Sequence, residues 1–194
     1  MFIKILKACV LPIYIAIRRL RSNLANPNEL FDGDDELFKD EVKKVDVYGE
    51  YGSGKSTKWV LNNTSTDVIV VDTSSEWVDT VKKDNSSNND RLNIHHSNLG
   101  EVGKWGRPLS YEKIESFSDY TDFVWKQKKT PKLVLVDGRF RVCCFLTSLK
   151  FAEEGTKIIF DDYTNRPQYH FVEKYVSHFK ICGRQCMFLS LIHI

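Results

Sequence analysis

The chain has 194 residues, 42% of them hydrophobic, which is enough for one buried core and too little for two independent domains. Its 28 basic and 26 acidic residues leave a formal charge of +2, so nothing in the overall balance attracts nucleic acid, and no nucleic-acid partner is expected. The five cysteines are odd in number and form no Cys-x-x-Cys pair, which argues against a disulfide framework or a zinc site and for a reducing, cytoplasmic setting.

Ala8 to Ile17 is apolar, with Lys4 and Lys7 before it and Arg18, Arg19 and Arg21 after it. The run is too short to cross a hydrocarbon core of roughly 30 Å, and Pro12 interrupts it. Residues 1–25 therefore read as a basic amphipathic helix, docked on the domain or making peripheral membrane contact. Residues 26–35, rich in Asn, Asp, Gly and Pro, read as a linker, and residues 36–188 as the folded domain. The last six residues look like a translated sequencing-library adapter, so 189–194 are read as a non-native tail.

Within the domain, Val45 to Tyr48 is a short β-rich run followed by a glycine-rich turn and a helix over Lys55 to Asn63. Val68 to Val71 has the continuous apolar character of a strand buried on both faces. A helix over Ser75 to Lys83 follows, capped by Ser74 or Ser75, with Trp77, Val78 and Val81 on one face. Strands are expected at Leu92 to His95, Leu133 to Val136, Lys157 to Phe160 and Ile181 to Phe188, and helices at Arg141 to Glu153 and Tyr169 to Phe179. The second of these helices would set Phe171, Val172, Tyr175 and Val176 on one face. Strands alternating with helices predict an α/β three-layer sandwich around a mainly parallel, Rossmann-like sheet, with an additional N-terminal helix.

The turn behind the first strand fits two templates. As Gly49-x-x-x-x-Gly54-Lys55-Ser56 it matches a phosphate-binding loop, with Lys55 on the phosphates, Ser56 on magnesium and Asp137 as a second magnesium ligand. That reading makes the protein a nucleoside-triphosphate phosphohydrolase or kinase. As Glu50-Tyr51-Gly52-Ser53-Gly54 the same turn would hold a nucleoside cofactor, its glycines admitting a ligand close to the backbone. In an open α/β sheet ligands sit beyond the carboxyl ends of the strands. Asp72 ends the second strand 18 residues after Gly54, the place of a carboxylate that accepts both hydroxyls of a ribose.

Several blocks occur in one order: Glu50 to Gly54, Asp72 through Trp77, Lys104 to Pro108, Val136 to Val142, and Asp161-Asp162-Tyr163 with Arg166-Pro167 and Tyr169-His170. Over residues 45–188 the chain resembles a family of small class I S-adenosylmethionine-dependent methyltransferase-like proteins, departing from it at Lys55, often a glycine there. The resemblance implies S-adenosylmethionine as cofactor, held by Glu50, Tyr51, Gly52, Ser53, Gly54 and Asp72, with Glu50 on the ammonium of its amino-acid tail.

Asp137, Asp161 and Asp162 fall at the ends of successive strands, and hard carboxylate oxygens of this kind suit Mg2+. That pattern is similar to metal-dependent sugar O-methyltransferases and implies O-methylation of a small-molecule or glycan-like acceptor, with Asp137 or His170 taking the proton. Arg139, Arg141 and Arg166 bracket the acidic group, and Tyr163, Tyr169 and His170 are candidate acceptor contacts. Trp105 is expected to anchor its loop rather than stack on a ligand. A non-catalytic binding module on the same fold is the third reading.

Overall fold

The structure, a computed structural model, describes residues 29–31 and 34–191. The helix expected over 1–25, and any membrane contact through it, lies outside these residues. Among the described residues no helix is long and apolar enough to cross a membrane.

Seven strands form one sheet: β1 (Val47–Tyr51), β2 (Asp67–Asp72), β3 (Leu92–His96), β4 (Leu133–Val136), β5 (Lys157–Phe160), β6 (His178–Cys182) and β7 (Gln185–Leu189). Their order is β3-β2-β1-β4-β5-β7-β6, parallel from β3 to β5, with β7 antiparallel to both β5 and β6. The helices are α1 (Glu36–Val42), α2 (Lys55–Asn63), α3 (Ser75–Asp84), α4 (Phe117–Asp122) and α5 (Arg141–Phe151), supplemented by short 3-10 turns. Alternation along the buried strands divides the core. Val68, Val70, Leu133, Leu135 and Ile159 pack with Phe38 of α1 and Val60 and Leu61 of α2. Ile69, Val71, Val134, Val136 and Phe160 pack with Tyr120 of α4 and Phe145 of α5. This is the expected three-layer arrangement.

Several expectations change. Part of the linker expected over 26–35 is ordered onto the core: Phe31 is buried, packs edge-on against Phe38 at 5.3 Å, and is held with Leu30 by backbone bonds to Asp35. The helix expected over Tyr169 to Phe179 is instead a 3-10 segment, Pro167–Lys174, followed by β6. Of its proposed apolar face only Val172 is fully buried, while Phe171 and Tyr175 stand exposed. Pairing of β6 with β7 outweighs local helical spacing there. Gly183, at φ 55, turns the chain between them, so the single strand expected over Ile181 to Phe188 is a hairpin. Leu189 pairs with Lys157, and Ser190 exchanges backbone bonds with Gly155 and Thr156, so the pairing continues past Phe188. In α3, Val78 and Val81 are buried but Trp77 is 47% exposed.

The contact that positions the site is between two turns. A Cβ on Gly52 (φ 94) would lie 2.7 Å from the Gly138 Cα, and one on Gly138 would lie 2.0 Å from the Tyr120 hydroxyl and 2.8 Å from the Tyr51 backbone. The turns after β1 and β4 therefore touch backbone to backbone, which only glycine permits. Gly138→Ala is expected to cost about 1–3 kcal/mol by overpacking, read as a lowered midpoint in urea. An unchanged midpoint would show that the turns can separate freely.

Candidate active site at the carboxyl ends of the strands

Hydrogen bonds that continue the sheet past its strands bring the proposed residues into one row. Ser97 N donates to Asp72 O (2.9 Å), Gly52 N to Val71 O (2.9 Å), Asp137 N to Tyr51 O (3.2 Å) and Asp161 N to Val136 O (3.1 Å). Ser97, Asp72, Gly52, Asp137 and Asp161 thus stand side by side at the carboxyl ends of β3, β2, β1, β4 and β5, at the spacing of adjacent strands.

At the β1 end, Glu50 is fully buried beneath the first turn of α2. Ser56 Oγ donates to its Oε1, Thr57 Oγ1 donates to its Oε2 at 2.6 Å, and Thr57 Oγ1 also accepts Gly54 N at 3.0 Å. Burial pushes the Glu50 carboxyl up to about 7, against the opposing pull of those hydroxyl donors. Glu50 is therefore the tie that shapes the turn, not the exposed partner of an ammonium group. Tyr51 also changes role: its ring lies in the core, its hydroxyl donating to Thr121 O (2.6 Å) and accepting from Trp125 Nε1 (3.0 Å).

The same geometry does not favour the triphosphate reading. Ser56 Oγ is turned inward onto the buried Glu50, Lys55 reaches outward to the Glu29 carbonyl at 3.5 Å, and Asp137 is paired with Arg141. The three groups needed for phosphate and magnesium face three different partners.

At the β2 end, Asp72 Oδ2 accepts Ser53 N (2.6 Å) and Ser53 Oγ (2.9 Å), and Oδ1 accepts Ser74 N (2.8 Å). Oδ1 keeps a second acceptor position. Beside it, a Cβ built on Gly54 would meet nothing within 4 Å, so the turn opens onto free space where Asp72 ends its strand. Asp72 is thus fixed by three local donors, with one acceptor position left for a ligand hydroxyl. His95, by contrast, is drawn to the α4 side, with Nε2 2.8 Å from Asp119 and its ring stacked on Phe123.

At the β4 and β5 ends, Asp137, Asp161 and Asp162 bring carboxylate oxygens within 4.8 Å of one another, as their strand positions predicted. Three arginines meet them. Arg141 uses all five of its N–H groups: Nε on Gly138 O (3.2 Å), NH1 on Asp161 O (2.7 Å) and Asp162 Oδ2 (3.1 Å), NH2 on Asp137 O (3.2 Å) and Asp137 Oδ1 (2.7 Å). Arg166 pairs with Asp162 Oδ2 at 2.6 Å. Arg184 bonds Asp161 Oδ1 at 3.1 Å and approaches Asp162 Oδ1 at 3.3 Å. It also stands 2.9 Å from Asp161 Oδ2, close enough for ion pairing but not aligned as a hydrogen bond.

Both oxygens of Asp161 and Asp162 thus face guanidinium groups, and three arginines surround the three carboxyl groups. A divalent ion at the cluster would compete with these guanidinium groups for carboxylate oxygens. The convergence of Asp137, Asp161 and Asp162 expected for Mg2+ is present, and Arg184, among the arginines that surround it, was not foreseen. Burial, then the neighbouring Asp161, pushes the Asp137 carboxyl well above the usual carboxylate range against the pull of Arg141.

Sequence reasoning missed Arg184, whose only signal was its place in the Gly183-Arg184 turn of an unforeseen hairpin. His170 does not join the Asp137 cluster through any described bond. Its ring stacks on Tyr163 and its Nε2 donates to the Tyr163 carbonyl (3.1 Å), while the buried Tyr163 hydroxyl donates to Glu173 (2.7 Å).

A mainly parallel sheet with an antiparallel final hairpin, in the order observed here, is the fold of class I methyltransferases. A methyltransferase-like protein from Silicibacter pomeroyi DSS-3 is 30% identical over 85% of this chain and 86% of its own, with a TM-score of 0.73. The chain belongs to the class I S-adenosylmethionine-dependent methyltransferase-like family. The O-methyltransferase from Bacillus cereus, in complex with SAH, aligns over 89% of this chain and 87% of its own at 14% identity and a TM-score of 0.54. The O-methyltransferase TomG from Streptomyces achromogenes, in complex with SAM, aligns over 87% and 84% at 11% identity and a TM-score of 0.55. These two share the fold. No family model and no curated protein matches the chain.

Proposed function

We propose that this protein transfers the methyl group of S-adenosylmethionine to an oxygen of a small acceptor, glycan-like compounds included. The observation that carries this reading is the row of strand ends, which sets Asp72 and the open Gly54 turn beside Asp137. Asp72 would hold the ribose, and the backbone of Gly52, Ser53 and Gly54 would line the cofactor. The bound sulfonium supplies an electrophilic methyl group.

Asp137 would orient the acceptor hydroxyl and take its proton, a task suited to a carboxyl whose proton affinity is raised above the ordinary range. Arg141 fixes that carboxylate through Oδ1, and the remaining contribution is positioning of two reactants. The described cysteines, none in a disulfide, support a cytoplasmic setting.

Calorimetry with S-adenosylhomocysteine and with magnesium ATP tests the assignment. Micromolar binding of the first and none of the second is expected. Asp72→Ala should weaken the first by about tenfold or more, as loss of a charged hydrogen-bond partner predicts, while Lys55→Ala leaves it nearly unchanged. ATP binding that vanishes in Lys55→Ala would overturn the reading.

A further inference from the structure

Trp105 combines three features that packing does not explain. It is 71% exposed, against the expectation that it anchors its loop. Its backbone lies at φ 63, ψ 27, in the left-handed region that a bulky residue rarely adopts. The loop that imposes this conformation is fastened on both sides. Gly103 N donates to Arg107 O (2.8 Å), Gly106 N to Gly103 O (3.1 Å) and Leu109 N to Glu101 O (2.9 Å), and Val102 bridges Pro108.

The fastening leads to the site. Thr73 Oγ1, one residue past Asp72, donates to Gly106 O at 2.7 Å. A Cβ on Gly106 (φ 69) would lie 2.3 Å from that hydroxyl and 3.9 Å from Asp72 Oδ1, the oxygen with a remaining acceptor position. The loop is thereby pressed onto the end of β2, with the tryptophan at its strained tip. Strain of this kind persists only where the surroundings over-determine it, and it concentrates at ligand clamps.

From this geometry we infer that Trp105 is a base-stacking residue, its indole taking the planar heterocycle of the nucleoside whose ribose Asp72 holds. The inference rests on the proposed function. An indole offers a π-face to a purine, and stacking of a base on an aromatic side chain is sequence-tolerant and substantial. An exposed ring face is what such a contact requires, and the left-handed backbone is what the loop adopts to present it.

Calorimetry with S-adenosylhomocysteine, on wild type and on Trp105→Ala, Trp105→Phe and Trp105→Gly, separates this inference from the reading beneath it. Affinity should fall roughly tenfold or more in the Ala and Gly variants and stay within about threefold in the Phe variant, which keeps a stacking face. Melting temperature provides the second readout: Trp105→Gly relieves the left-handed strain and should melt at or above wild type while binding less well. A merely structural tryptophan would instead lower the melting temperature and leave affinity unchanged. Wild type that binds with affinity equal to Trp105→Ala would overturn the stacking role alone, whereas wild type that binds no S-adenosylhomocysteine would overturn the cofactor reading and this inference with it.

Discussion

Arg141→Ala is expected to destabilise the protein by about 3–5 kcal/mol, the cost of leaving buried carboxylates without their cation. Asp161 is fully buried and Asp162 nearly so, and Arg141 spends its five donors on the two turns that carry them and on Asp137. Removing it leaves the Asp161 and Asp137 backbone carbonyls and the Asp137 and Asp162 side chains each short of a donor. Arg141→Lys should recover little, because an ammonium has three donors and cannot match the planar fork. Urea denaturation measures both. In chains of this length a loss of 1 kcal/mol lowers the melting temperature by roughly 2–4 °C, so the alanine variant should melt well below wild type. A loss under about 1 kcal/mol would show that Arg184 and Arg166 suffice to balance the cluster.

The second large effect concerns Glu50 and pH. Its carboxyl lies at about 7 in the folded chain against 4.5 ordinarily, because burial disfavours the charged form. The folded state therefore holds this proton more tightly than the unfolded state. The stability contributed by protonated Glu50 is complete below about pH 4.5 and is lost as pH rises to about 7. Glu50→Gln keeps a neutral hydrogen-bonding group facing Ser56 and Thr57, so it should lose this dependence. Above pH 7 the variant should exceed wild type by up to about 3 kcal/mol, converging with it toward pH 5. Urea midpoints at pH 5 and pH 8 measure the difference. Parallel pH slopes for the two proteins would mean that Glu50 is ionised throughout and that its hydroxyl donors outweigh its burial.

Much of the fold was legible because the signals were local. Leu133–Val136 is a continuous apolar run and Lys157–Phe160 carries three apolar residues after its lysine, and the structure places strands at both. The helix over Lys55–Asn63 likewise follows from the glycine turn before it and Thr64 after it. What local pattern could not show was pairing between distant segments. His178 and Phe179 read as the end of a helix by spacing alone, yet they begin a strand because β7 is available to pair with it. The same reason hid Arg184, whose partners Asp161 and Asp162 stand more than twenty residues before it.

The sequence by itself determined the α/β class, the acidic strand ends and the presence of a glycine turn between β1 and α2, since each depends on residue type and short-range order. Only the tertiary structure decided what those groups do. Glu50 lies too deep to touch a ligand because Ser56 and Thr57 fold over it. The carboxylates at 137, 161 and 162 are matched by arginines because β5, β7 and α5 converge. Trp105 is presented to solvent because its loop is bonded to the end of β2. Burial and charge compensation are properties of neighbours in space, and no reading along the chain contains them.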